Sequence, residues 1–406
     1  MAYGRKNHVN TNPLHYNIML LGESGIGKTT VMKEVAEKLV GEDGYLFFEF
    51  GRESGAEAIE GINYVTVKYF SDEHVTNYDD TVMDDEQLES ERNRMEMMNE
   101  AFLNELVEDI IINKTTEYPN LKVVFWDTLD QIIPIVQQET LKRWNDKCRR
   151  EGHPDKKALT LNGAWGSFGK GDAEAMKIMD NIIERLERVG VKTVILGHVK
   201  NRDVTDTITG ETYTTITSDQ QQNYFNHFKK NLHVLGVAYT DREIVKQKTG
   251  KKNIVTKQEE VKGRVKDEAR KIKFRDVNFA IDSKSRLKDI VPEINLDADE
   301  FIKAVRDAIE AERKKSGRTV EETKAAEKVV SDFEESRIAK EEEKNKSKSE
   351  CKDVVEKIIN FFTTNKTNMD KIKPVLAKCR EYGYANPSEI DNIDAANAIL
   401  AETLKL

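Results

Sequence analysis

The sequence predicts an α/β fold with a mostly parallel central sheet, a phosphate-binding loop at its first strand and a helical C-terminal extension. Three observations carry that prediction. Short apolar runs of strand length alternate with amphipathic helical stretches from Tyr16 to about Leu296. A glycine-rich octapeptide, Gly22–Thr29, lies directly after the first such run and directly before the first helical pattern. Beyond Arg313 the alternation gives way to dense mixed charge, and apolar residues then return only at helical spacing.

Taken in order, the strand candidates are Asn17–Leu21, Tyr45–Phe50, Tyr64–Tyr69, Lys122–Trp126 and Lys192–Leu196. Val31, Val35 and Leu39 put one apolar face on a helix that Gly41 and Gly44 stop. A second helix is expected from an Asp172 N-cap to Gly190, with Met176, Met179, Ile183 and Leu186 packed on the sheet. Asp84–Leu106 reads as a charged helical insert and Trp144–Gly163 as a polar loop. Asn253–Thr256, Lys271–Phe274 and Asn278–Ile281 read as an antiparallel extension of the sheet. Arg313–Glu350 holds 11 basic and 10 acidic residues in 38, a solvated helix or linker rather than a core. Residues 351–406 regain helical apolar spacing at Val354, Val355, Ile358, Ile359 and Phe362. The expected division is a tail (1–15), an α/β core (16–305), a charged helical linker (306–350) and a small helical module (351–406).

The 406 residues carry 64 Lys+Arg against 73 Asp+Glu, a net charge of -9, which excludes a uniformly basic nucleic-acid binder but not a local basic face. No apolar run reaches membrane-span length, and Met1–Asn10 lacks the apolar centre of a signal peptide. Cys148, Cys351 and Cys379 are too few and too scattered for a disulfide framework or a zinc knuckle. The expectation is a soluble, reduced, cytoplasmic protein without a membrane partner.

Gly22-Glu23-Ser24-Gly25-Ile26-Gly27-Lys28-Thr29 is the G-x-x-x-x-G-K-[ST] phosphate loop without departure. Glycines let its backbone curl with N–H groups inward, and the following helix N-terminus favours negative charge. Gly22, Ser24, Gly25, Ile26, Gly27, Lys28, Thr29 and Thr30 are therefore the candidate ATP contacts. Lys28 is placed for the β/γ-phosphates and the Thr29 hydroxyl for Mg²⁺. Val123–Asp127 is an apolar strand ending in an acid, so Asp127 is the second candidate metal ligand, with helix capping as its alternative role. Thr128 and Asp130 follow it and are placed to orient it. Glu49, at the end of the next strand candidate, is the preferred residue to orient the attacking water, and Glu53 competes with it. His198 ends the Thr193–His198 run and is read as a γ-phosphate sensor or as a structural strand-end histidine.

Two further stretches bear on what the nucleotide serves. Val199–Asn231 reads as a long polar loop in which Lys200, Arg202, Lys229 and Lys230 interleave with Tyr213, Tyr224, Phe225 and Phe228. Cations beside aromatics suit single-stranded nucleic acid, where phosphates pair and bases stack; a plain surface loop is the alternative. Arg242–Arg275 holds 13 Lys/Arg against 5 Asp/Glu and includes Lys251 and Lys252, a phosphate-backbone track or a solvated hairpin.

Together the phosphate loop, Val123–Asp127, the Gly197-His198 strand end and Lys284-Ser285-Arg286 resemble RecA-like P-loop ATPases. More closely they resemble the phage-encoded RecA-like single-strand annealing and recombination proteins, the Sak-type branch. Gly163-Ala164-Trp165-Gly166 is similar to a Trp-Gly element of that branch, and the resemblance spans Tyr16–Val305, about three quarters of the chain. It implies a RecA-like core, Mg²⁺-dependent ATP hydrolysis, single-stranded DNA as partner and a homo-oligomeric ring or filament in a bacterial host cytoplasm. It further implies that Lys284 and Arg286 reach the nucleotide of a neighbouring subunit; i and i+2 on a strand share a face, as that role requires. The charged insert, the linker and the C-terminal module are additional to a minimal member, and the module is a candidate contact for a single-strand-binding or replication protein. A ring helicase or helicase loader, and a nucleotide-dependent assembly switch that ignores DNA, are the competing readings.

Overall fold

The computed structural model describes residues 9–77, 81–166, 168–206, 210–252, 259–276, 281–315, 320–366 and 368–405, with backbone alone for 243–252, 259–267 and parts of 320–330. Its strands are β1 (Ile18–Gly22), β2 (Tyr45–Phe50), β3 (Tyr64–Tyr69), β4 (Glu100–Phe102), β5 (Val123–Asp127), β6 (Lys192–Thr205), β7 (Thr212–Ser218), β8 (Val234–Lys252), β9 (Glu259–Lys273), β10 (Lys284–Ser285) and β11 (Glu293–Asn295). Its helices are α1 (Lys28–Val40), α2 (Asp85–Met97), α3 (Leu103–Ile112), α4 (Leu129–Arg150), α5 (Lys170–Arg188), α6 (Gln222–Asn231), α7 (Ala298–Lys315), α8 (Val320–Thr364), α9 (Met369–Glu381) and α10 (Ile393–Thr403). They fall into two compact units, Met1–Val107 with Asn120–Val330, and Glu108–Pro119 with Ser331–Leu406.

In the first unit the sheet order is β11-β9-β8-β1-β6-β5-β2-β3-β4, with β10 paired to β8 and β7 to β6. Every pairing from β8 across to β4 is parallel, while β9, β10, β11 and β7 join antiparallel. This is the α/β fold with a mostly parallel sheet. All five residues of β1 and of β5 are buried, which is why these strands read as continuous apolar runs rather than alternations. On one face Leu20, Phe47, Phe125 and Leu196 pack against Met32 and Val35 of α1 and Phe301 and Val305 of α7. Phe47 and Phe125 stack at 4.4 Å between ring centroids, adding a cross-strand aromatic contact to the burial.

Several local expectations are corrected. Trp144–Arg150 is the last part of α4 rather than loop, its polar side chains being the solvent face of a long helix. α5 begins at Lys170 after Gly169, whose φ of 76° sets the turn. Asp172 lies inside the first turn and accepts the Tyr224 hydroxyl at 2.8 Å. The Asp84 insert holds α2, capped by a reciprocal Asp84–Gln87 box, and then turns into β4 and α3. Val199–Asn231 is not a loop: β6 and β7 form an antiparallel hairpin and α6 follows. Tyr224, Phe225 and Phe228 form the buried face of α6 and are not available to stack on bases. Residues 253–258 and 277–280 lie outside the described residues, so the strand expectations there are not addressed. What is described of 234–273 is one long antiparallel hairpin, β8 with β9.

In the second unit Cys351, Val355 and Ile358 of α8, Val375 and Cys379 of α9, and Ala395, Ala396 and Ile399 of α10 form a separate apolar cluster. Glu342 is buried, accepting the Thr115 hydroxyl at 2.7 Å and facing Lys346 at 3.1 Å. Among the described residues no helix is long and apolar enough to cross a membrane.

Candidate nucleotide site

The site forms at one level of five parallel strands, where β1, β2 and β5 end and β6 and β8 run on. Gly22 of β1 pairs with His198 of β6 and with Ala238 of β8, and Glu49 of β2 pairs with Asp127 of β5. β6 therefore separates the strand that launches the phosphate loop from the strand that carries Asp127. A Cβ on Gly22 would lie 3.0 Å from the Ala238 Cβ and 3.1 Å from Ile26, so any side chain here would press on both neighbours.

Gly27 is the N-cap of α1 at φ 108°, a conformation that side chains resist. Lys28 opens the helix, is buried, and donates from Nζ to the Gly22 and Glu23 carbonyls, both at 3.0 Å. Burial lowers its pKa, while the nearby Asp127, Glu53 and Asp130 carboxylates oppose that shift. The Thr29 hydroxyl donates to Asp127 Oδ2 at 2.7 Å, joining the two candidate metal ligands. Asp127 is 5% exposed, and burial pushes its carboxyl up to about 6 despite the Thr29 bond. A buried acid destabilised in this way, next to a hydroxyl, is a donor set that a hard divalent cation fits.

Beside it, His198 Nδ1 lies 3.0 Å from Asp130 Oδ2 and 4.0 Å from Glu53 Oε1, and the Thr128 hydroxyl donates to Glu53 at 3.3 Å. The Asp130 hydrogen bond raises the His198 pKa. Burial works against the Asp130 charge, but hydrogen bonds from His198 and Thr128 hold that carboxyl at about 2. Glu49 differs in kind. It is buried, its Oε1 accepts the Ala56 N–H at 2.9 Å and its Oε2 the Thr66 hydroxyl at 3.4 Å, and burial raises its pKa.

The structure thus brings the Gly22–Thr30 loop, Asp127 and His198 together, with Glu49 close but spoken for by its own strand and turn. Lys284 and Arg286 lie elsewhere. β10 pairs with Val234 and Leu235, the end of β8 opposite to Ala238. Lys284 Nζ donates to the Lys229 carbonyl at 2.6 Å and Arg286 to the Lys230 carbonyl, so within the chain both cations satisfy the C-terminal carbonyls of α6. Lys200 and Arg202 sit on the exposed β6–β7 hairpin, where Lys200 donates to the Asp219 carbonyl at 2.6 Å. Lys229 pairs with Asp282, and Lys230 is exposed. The side chains of Lys251 and Lys252 lie outside the described residues. Trp165 packs on α4, its indole N–H donating to the Thr140 carbonyl at 3.2 Å.

Arg270, which no motif singles out, donates from Nη1 to the Ile26 carbonyl at 3.1 Å. It stands inside the basic Arg242–Arg275 run, where nothing in the sequence separates it from its neighbours.

A phosphate loop at the carboxyl edge of a parallel sheet, with its lysine and threonine facing a strand-end aspartate one strand removed, defines a P-loop ATPase. The chain belongs to the AAA domain family, whose model matches residues 14–265. The match spans β1 through most of the β8–β9 hairpin and so includes Lys28, Asp127 and His198. It makes the chain a nucleotide-binding ATPase. No curated protein matches it.

Proposed function

We propose that the protein is a Mg²⁺-dependent, RecA-like ATPase that binds single-stranded DNA and promotes annealing or strand exchange in phage recombination, acting as a homo-oligomer. The observation that carries the DNA part is the β8–β9 hairpin. It grows from the strand beside β1, and the Arg242–Arg275 run that forms most of it has 13 basic residues against 5 acidic. Aromatic stacking is no part of the support, since α6 buries three of the four aromatics named above.

In the ATPase step Lys28 meets the β/γ-phosphates, and Thr29 with Asp127 holds Mg²⁺, which supplies charge neutralisation when bound. Glu53 is the better-placed water-orienting residue. It faces the His198–Asp130 pair and, among the described residues, accepts a side-chain hydrogen bond from the Thr128 hydroxyl alone, whereas both Glu49 oxygens are engaged. His198, held by Asp130, is the element that reads the γ-phosphate. Lys284 and Arg286 act on a neighbouring subunit's nucleotide only if assembly draws them away from α6. We further propose that the second unit, which has an apolar core of its own, is a docking module for a replication or single-strand-binding protein.

The test is the ATPase rate with and without single-stranded DNA, measured together with particle size, with Lys28→Ala as the blank. DNA affinity should fall steeply with salt, and replacing Lys251 and Lys252 with Gln should reduce both the affinity and the salt slope. ATP turnover indifferent to DNA would favour the assembly switch, and strand displacement would favour a helicase.

A further inference from the structure

The β8–β9 hairpin touches the phosphate loop directly. Arg270 of β9 stands opposite Thr240 of β8, two residues past Ala238, the register partner of Gly22. From there its guanidinium donates to the Ile26 carbonyl at 3.1 Å. The Arg270 carbonyl accepts the Leu296 N–H at 2.9 Å, so the backbone behind the guanidinium is fixed as well. A Cβ placed on Gly27 would meet the Leu296 methyl at 3.6 Å and Arg270 Nη1 at 3.8 Å, which puts both groups along the outer wall of the loop.

Ile26 lies between Gly25 at φ 72° and Gly27 at φ 108°. Gly27 on its far side leaves the Ile26–Gly27 peptide a wide range of orientations that an outside contact can fix. That peptide is trans, so its C=O and N–H lie in one rigid plane and point in opposite directions. Holding the Ile26 carbonyl outward against Arg270 therefore turns the Gly27 N–H inward, where a phosphate oxygen accepts it.

We propose that Arg270 is a positioning residue of the nucleotide site: by anchoring the Ile26 carbonyl it presents the Gly27 N–H to the β-phosphate. The inference rests on nucleotide binding and is independent of the DNA reading. It also gives the basic hairpin a mechanical connection to the loop, since the residue that orients the phosphate donor is rooted in β9.

The experiment is equilibrium binding of ATP, ADP and AMP to the full chain and to its Arg270→Ala variant, at low salt and at 0.5 M salt. Loss of one oriented donor to a charged oxygen should weaken ATP and ADP alike by about tenfold. AMP, which has no β-phosphate, should bind both proteins equally. The deficit should persist at 0.5 M salt, because contact positioning is not screened whereas attraction by an exposed guanidinium is. Unchanged ATP and ADP affinity, an equal loss for AMP, or a deficit that salt abolishes would each overturn the assignment. Should the alanine variant not fold, Arg270→Gln removes the guanidinium while keeping most of the aliphatic stem, and carries the same comparison.

Discussion

Asp127→Asn separates the energetic cost of the buried acid from its service to the nucleotide. The carboxyl titrates at about 6 instead of 3.8, with burial as the main cause. About two pKa units correspond to about 3 kcal/mol. Because the folded state holds the proton more tightly than the unfolded chain, stability is greatest below the unfolded value, falls as pH rises through about 6, and levels off above it. Asparagine has no charge to desolvate and still accepts the Thr29 hydroxyl. Without divalent cation or nucleotide, the variant should therefore be more stable at pH 7.5 by up to about 3 kcal/mol, several degrees in Tm, and the advantage should vanish near pH 4. With Mg²⁺ and ATP its turnover should drop by at least about tenfold, since the metal-facing charge is gone. Thermal melts in chelator between pH 4 and 8, subtracted between the two proteins, read the effect without interference from shared titrations. A variant less stable than the parent at pH 7.5, or a difference that ignores pH, would refute the reasoning.

Glu53→Gln should reduce kcat by about a hundredfold with little change in ATP affinity, and Glu49→Gln by far less; the reverse order in a steady-state ATPase assay would return the water-orienting role to Glu49. Lys284→Ala with Arg286→Ala strips two cations from the α6 carbonyls and should cost about 1–3 kcal/mol in denaturant unfolding. Mixing that variant with Lys28→Ala should restore part of the ATPase if the pair acts across subunits; a mixture that stays inactive despite proven co-assembly leaves the pair with its α6 role alone. Phe228→Ala should lower stability by about 3–5 kcal/mol, the cost of emptying a buried aromatic site, and leave the single-strand affinity of the folded fraction unchanged. A specific loss of DNA binding at full stability would contradict the burial of that face.

The phosphate loop was legible because its chemistry is local: eight consecutive residues, a strand before and a helix after, are enough to define it. Asp127 and His198 could be read as strand ends, but β6 lying between β1 and β5 is a non-local fact that no run of residues states. Strand β8 was overlooked although Val234-Leu235-Gly236-Val237-Ala238 is an apolar run, because Gly236 breaks it and a polar stretch precedes it. Tyr224, Phe225 and Phe228 show the ambiguity of composition most plainly. Spaced at i, i+1 and i+4 they make one helix face, yet interleaved with lysines they imitate a base-stacking loop. Asp172 failed as a cap because its carboxylate is committed to a tyrosine on another helix. Glu49 at a strand end and Glu53 four residues later are both plausible in sequence, and only the partners around each distinguish them.

The position of β1 in the sheet has a consequence for how the protein is made. Met19–Gly22 pairs on one side with Ile195–His198, in the first half of a strand that begins at Lys192, and Ile18–Gly22 pairs on the other with Val234–Ala238. The segment that will cradle the phosphates is thus synthesised well before its partner strands and finds its neighbours only after some two hundred further residues have emerged. At about 5–20 residues per second it waits roughly 10–40 s with its backbone unpaired and its apolar side chains uncovered. The cradle is flanked on both sides only once β6 and β8 have paired with β1. Chaperone capture of nascent chains stopped short of Val234, and release once the stop is moved beyond Ala238, would be the signature of this late closure.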